Sequence, residues 1–263
     1  MEKGKRPYNK SKKRYHDEED PNIIYGVHPV IEAIRAKRPI NKIFIQKGMQ
    51  KELFYELKEE LANKKYHLAF VPIHKLNRMC RKNHQGVIAQ VSPVDYADIE
   101  PILDKLYEEG EVPLFLILDR LTDVRNFGAI ARTAECHGVH GIILPQKDSV
   151  SITSDAVKTS AGALNRIPVA KVDNLSSIIN YLKNSGVQVV ASTEKSSREV
   201  GQVDFTVPTA IVMGSEESGV STKILAESDV KAKIPMMGEI GSLNVSVAAA
   251  IMMYEANRQR LLE

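Results

Sequence analysis

The chain has 263 residues, 26% of them charged and 43% hydrophobic, with a net charge of +3. That length allows one large or two small domains of ordinary globular composition. No apolar run is long enough for a bilayer and the N-terminus lacks the apolar stretch of a signal peptide. Cys80 and Cys136 make neither a disulfide framework nor a metal spacing, so a cytoplasmic protein without metal is expected.

Residues 1–20 form a tail in which Lys3, Lys5, Arg6, Lys10, Lys12, Lys13 and Arg14 precede an acidic cluster at 17–20. Such a tail buries no apolar surface and is expected to be disordered. It reads equally as an arm adding salt-sensitive affinity for RNA or as a solubility feature.

Residues 23–34 (IIYGVHPVIEAI) read as a turn entering a helix, with Pro29 in the first turn. A short strand follows at 42–46. Residues 50–64 then place Leu53, Phe54, Leu57 and Leu61 at helical spacing. Strands at 67–73 and 86–91 complete a small α/β module, 21–92. Residues 93–112, rich in charge and bounded by prolines, read as a linker carrying one helix.

From 113 to 263 the order is strand, loop, helix, repeated. Strands are expected at 114–118, 141–144, 187–191, 210–213 and 230–234, and helices at 128–137, 154–163 and 175–184. Near-continuous apolar strands alternating with helices imply a mostly parallel sheet covered on both faces.

Three glycine-punctuated segments run from strands into polar loops, where α/β proteins build small-molecule sites. In 123–132 (DVRNFGAIAR), Asn126 reads as a helix N-cap and Arg132 as a helical residue one turn in, able to reach back across the loop. In 210–221 (AIVMGSEESGVS), Gly214 follows a strand and lets a ligand approach the backbone, while Glu216 can accept hydrogen bonds. A surface turn reads equally from that composition, and the nucleophile-elbow spacing of a hydrolase is absent. In 233–258, Ser242 and Asn244 open a helix whose stretch 245–256 is apolar on nearly every face, so burial on all sides is expected.

In this order, with Asn126, Arg132, Glu216, Ser242 and Asn244 as polar members, the segments resemble the three signatures of the SpoU RNA 2'-O-ribose methyltransferases. Val124 and Arg125 stand where many members have Pro and His. YGVHPVIEAI and NHQGVIAQV likewise resemble the ends of the substrate-binding domain preceding the catalytic domain in many members.

The resemblance implies an α/β fold with a deep trefoil knot in 113–263, a homodimer, and methyl transfer from S-adenosylmethionine to RNA. Ribosomal RNA, in particular a guanosine of the large subunit (23S), is the expected partner and transfer RNA the alternative. A non-catalytic ribosome-assembly factor is a rival of another class. The implied cofactor-binding residues are Thr193, Met213, Gly214, Ile234, Met236 and Leu243. The implied catalytic residues are Asn126, Arg132, Glu216, Ser242 and Asn244, with Asn126 orienting Arg132.

Overall fold

The computed structural model describes residues 22–49, 51–62 and 66–262; the basic tail lies outside them. Nearest the N-terminus, β1 (Ile23–Tyr25), β2 (Ile40–Gln46), β3 (Leu68–Val71) and β4 (Val87–Val91) form a mixed sheet in the order β1-β4-β2-β3. Helices α1 (Val27–Arg35), α2 (Lys51–Leu61) and α3 (Ile73–Met79) accompany it. Val30, Ile31 and Ile34 of α1 pack with Ile43, Ile45, Leu57, Val87 and Ala89 into its larger core.

Two features differ from expectation here. Residues 23–25 are an edge strand antiparallel to β4, not a turn; three residues are too few to show an alternation. Residues 73–79 form α3, whose only buried residue is Leu76, so the sequence carries almost no helical stripe.

The larger unit is a six-stranded, wholly parallel sheet. Its strands are β5 (Leu114–Leu118), β6 (Gly141–Pro145), β7 (Val169–Val172), β8 (Gln188–Ser192), β9 (Thr209–Met213) and β10 (Val230–Ala232), ordered β10-β8-β9-β5-β6-β7. The edge strand β7 escaped the sequence reading because Lys171 interrupts four residues of apolar pattern.

Strand alternation sends successive residues of β5 to opposite faces. Leu114, Leu116 and Leu118 join the core with α5 (Val124–Cys136) and α9 (Val245–Arg260). Phe115 and Ile117 join α4 (Ile99–Glu108) and α7 (Leu175–Asn184) on the other side. Ile99, Leu103 and Leu106 of α4 are buried there, so the helix within 93–112 is built into the larger unit's core. Two short helices, α6 (Ser154–Thr159) and α8 (Thr222–Glu227), complete this unit.

A polar node joins the two sheets. Asn41 donates from Nδ2 to the Ile152 carbonyl at 2.7 Å, and its Oδ1 accepts from the Tyr96 hydroxyl and from Lys171 Nζ at 3.3 Å. Lys171 also lies 5.1 Å from the centre of the Tyr96 ring. Burial raises the Tyr96 pKa and pushes that of Lys171 down to about 8.

Helix α9 departs from the expectation of burial on all sides. Val245, Ala249, Met252, Met253 and Ala256 are buried, but Val247 and Tyr254 are 48% and 58% exposed. One chain covers only one face of this apolar helix.

Candidate active site

Reversal of strand order puts the carboxyl ends of β5 and β9 side by side, the place where open parallel sheets bind ligands. The loops leaving these strands are tied together. Asp119 accepts from the Ser221 amide at 2.7 Å, and Arg120 Nη2 donates to the Gly219 carbonyl at 3.0 Å. Arg120 also lies 3.4 Å from Asp119 as an ion pair. Neither is among the polar residues that the resemblance implies, although both lie in the first of the three segments.

After β9 the chain folds back within five residues. Ser215 and Gly219 exchange both backbone hydrogen bonds, at 3.1 and 2.9 Å, and Gly219 takes a left-handed φ of 63°. Gly214 lies directly beneath this loop, where a Cβ would collide with the backbone of Gly219 and Val220. Its smallness is therefore required by the chain itself before any ligand approaches.

The N-cap of α5 is Asp123, whose carboxylate accepts from the Asn126 amide at 2.7 Å; Asn126 is not the cap. The helix starts three residues earlier than the position of Asn126 suggests. Asn126 thereby sits in the first turn with its side chain free for another task. Its Nδ2 donates to Glu216 Oε1 at 2.7 Å and its Oδ1 accepts from Asn244 Nδ2 at 3.1 Å. This pattern assigns the amide orientation.

Asn244 caps α9 as expected, its Oδ1 accepting from the amide and hydroxyl of Ser246 at 2.9 and 2.6 Å. Because the amide group has two ends, one residue serves as helix cap and as part of the site.

Asn126, Glu216 and Asn244 are thus joined from three distant segments. Arg132 is not. It lies exposed more than two turns into α5, and its side chain makes no hydrogen bond or ion pair to the described residues, so Asn126 does not orient it within one chain.

A cleft of about 390 Å³ opens beside the cluster, a size suited to a small organic ligand. Thr193, Met213, Gly214, Ile234, Met236 and Leu243 all line it, as do Glu216 and Ser242. Met236 and Leu243 expose 37% and 40% of their surface, an apolar mouth suited to covering by a ligand. A second cleft, with Arg120, Asp123, Asn126 and Asp148, shares residues 215–218 as its wall. Among the described residues no group of three or more His, Cys, Asp or Glu is placed to hold a metal, and no helix is long and apolar enough to cross a membrane.

A parallel α/β unit with a cleft at the strand ends and an amide–carboxylate cluster beside it describes a small-molecule-dependent enzyme. Comparison with known proteins narrows that class. Residues 113–254 match the model of the SpoU rRNA Methylase family, and residues 23–97 match that for RNA 2'-O ribose methyltransferase substrate binding.

A Staphylococcus aureus relative, named as a TrmH family tRNA/rRNA methyltransferase, is 39% identical over 92% of this chain and 97% of its own. The Bacillus subtilis relative YacO, named to the same family, is 36% identical over 91% and 96%.

The crystal structure of the SpoU methyltransferase AviRb from Streptomyces viridochromogenes, in complex with AdoMet, superposes with a TM-score of 0.58. It is 25% identical, covering 92% of this chain and 91% of that one. A TrmH/SpoU tRNA modifying enzyme from A. aeolicus is 36% identical over 62% of this chain and 85% of its own, with a TM-score of 0.53. The chain belongs to the SpoU/TrmH family of RNA methyltransferases.

Proposed function

We propose that this protein methylates a ribose 2'-hydroxyl of RNA, with 21–92 binding the RNA and 113–263 carrying the chemistry. The observation that carries the reading is the Asn126–Glu216–Asn244 cluster, whose Glu216 lines the cleft.

The cleft fits S-adenosylmethionine. Met213, Ile234 and Leu243 offer apolar walls for the adenine, and Glu216 and Glu217 give the negative charge a sulfonium favours. When bound, S-adenosylmethionine supplies the electrophilic methyl group.

The chain's own residues must position the attacking hydroxyl and stabilise the charge on its oxygen. Glu216 uses Oε1 to hold Asn126, leaving Oε2 unbonded within the chain and able to accept from that hydroxyl. Ser242, at the cleft mouth, shapes the side on which the ribose enters. Arg132, with the planar fork of a guanidinium, serves as the electrostatic stabiliser of the 2'-oxygen.

Arg132 reaches a cleft through a homodimer. Val247 and Tyr254 are exposed on α9, the helix beside α5, where His137 and Tyr254 meet edge to face. A second copy covering this face brings the exposed Arg132 to an assembled site. Val247→Asp is therefore expected to give a folded monomer by light scattering, since it charges the uncovered face. A dimer of unchanged stability would refute this interface. A charge at Met252, which is fully buried in its own chain, would test the fold instead.

The trefoil knot implied by the resemblance belongs to the same proposal. It is supported by the return of α9 from the edge strand β10 to the centre, where Asn244 meets Asn126.

The first substrate to test is large-subunit ribosomal RNA, at a guanosine as the resemblance suggests. Transfer RNA is the second reading, favoured by the names of the relatives. Each RNA is incubated with radiolabelled S-adenosylmethionine and digested to nucleosides. Label in 2'-O-methylguanosine from 23S RNA is expected; label on a base, or none, refutes the activity, and label only in transfer RNA assigns the second substrate. At a hundredfold excess of S-adenosylmethionine over Kd, the melting temperature should rise by about 5–10 °C. No shift at saturating cofactor would refute the cofactor site.

A further inference from the structure

We propose that Lys75, Lys42, Lys171 and Lys147 form a phosphate track leading RNA from the N-terminal sheet, across the junction, to the cleft beside Asn126. The inference rests on the RNA-methyltransferase reading and adds the path by which the substrate reaches the site.

The track starts on β2. Lys42 and Lys75 place their ammonium groups 5.5 and 5.7 Å from the centre of the Phe44 ring, a pair of cations on one aromatic side chain. Across the adjoining strand pair lies His67, whose carbonyl accepts from the Ile43 amide. Burial first, then the charges of Lys42, Lys171 and Lys147 against that of Asp148, hold its imidazole below the ordinary value. The N-terminal sheet, β7 and the loop after β6 converge here, since Asn41, next to Lys42 on β2, accepts from Lys171 on β7 and donates to the Ile152 carbonyl. Asp148, next to Lys147, is on the wall of the cleft that contains Asn126 and Glu216. The four lysines thus run from one unit to the other and stop at the site.

Among the described residues, none of the four is neutralised by an acidic side chain. Arg35, Lys105, Lys183, Arg166 and Arg258 each have a carboxylate within 4.0 Å, whereas no carboxylate lies that close to any of the four among the described residues. Lys171 is the most telling. Its ammonium is largely enclosed by Tyr96 and Asn41, and its one hydrogen bond, at 3.3 Å, goes to a neutral amide oxygen already held by Tyr96. Enclosing a cation without a counter-charge costs stability. An RNA phosphate supplies the missing charge, and three ammonium protons can reach two of its oxygens. Several spaced cations suit an extended polyanion better than a single small anion.

The test uses the full chain with a short fluorescent polyuridylate and with bacterial ribosomal RNA. Replacing Lys42, Lys75 and Lys147 together by Gln is expected to lower the slope of log affinity against log salt by about 2, roughly 0.7 for each single-strand phosphate that is no longer neutralised. Replacing Lys105 and Lys223, which lie off the track, should leave it nearly unchanged. Cofactor binding, measured by calorimetry, should survive in both variants.

Lys171→Met gives an independent readout. It should weaken RNA binding about fivefold while raising the melting temperature at neutral pH, a gain of stability with a loss of function. The sign follows from a folded-state pKa of about 8 below the ordinary 10.5: the burial cost is full below about pH 8 and fades toward 10.5. Unchanged salt slope in the triple variant overturns the track. So does Lys171→Met with a lower melting temperature and intact RNA affinity, which would make Lys171 a structural residue. If the unsubstituted protein binds neither RNA, the RNA reading falls first and the track with it.

Discussion

Arg132→Ala is expected to lower methyl transfer by about 10²–10³-fold while leaving the cofactor-induced thermal shift intact. The magnitude is that of removing one preorganised charge from a developing anion. The separation of effects follows from geometry: Arg132 lies on α5 and lines neither cleft, so the cofactor site forms without it. Arg132→Lys should recover little, since a flexible ammonium does not reproduce a planar fork of donors. Single-turnover methylation at saturating RNA is the decisive measurement. Retained turnover in the alanine variant, or loss of the thermal shift, removes Arg132 from the substrate side. Mixing Arg132→Ala with Glu216→Gln subunits adds a further check: partial activity in the mixture, with none in either parent, is expected if Arg132 serves the partner's cleft.

Gly214→Ala should be the most damaging single-methyl change in the protein. The new Cβ meets the main chain of Gly219 and Val220 rather than the end of a flexible side chain, so the loop at 215–219 must move as a whole. Both Ser215–Gly219 hydrogen bonds and the one from Arg120 to the Gly219 carbonyl then break. A destabilisation of about 3 kcal/mol, the upper end for overpacking, is expected together with loss of cofactor binding. Thermal melts with and without S-adenosylmethionine check both. A variant that melts like the parent and keeps its cofactor shift would show that the loop has room to spare.

The parallel sheet was readable because both of its faces are covered. Strands such as β5, with five buried residues in a row, announce themselves without alternation. The lining of the cleft was partly legible for another reason: the six residues that the resemblance implies for the cofactor all line one cavity.

What escaped was local or between elements. Asn126 looks like a helix cap because Asn often is one, yet Asp123 three residues earlier holds that place, and only the fold reveals the competition. The Asn41–Tyr96–Lys171 node joins residues up to 130 positions apart, and no single segment carries its pattern. The coverage of α9 was misjudged because an apolar helix in one chain reads alike whether its own fold or another copy covers it. Val247 and Tyr254 mark the difference.

The side chain of Asn126 grips Glu216, 90 residues further on, and Asn244, 118 residues further on. Asn244 stands just before the last helix of the chain. During synthesis, therefore, a growing chain can fold its RNA-binding end and most of its sheet while the cluster still lacks its final member. The cluster closes only once the chain is nearly complete and α9 has docked. If the cluster acts as proposed, the ability to modify RNA is gained only at the end of translation, and fragments cut short before 244 are expected to stay inert.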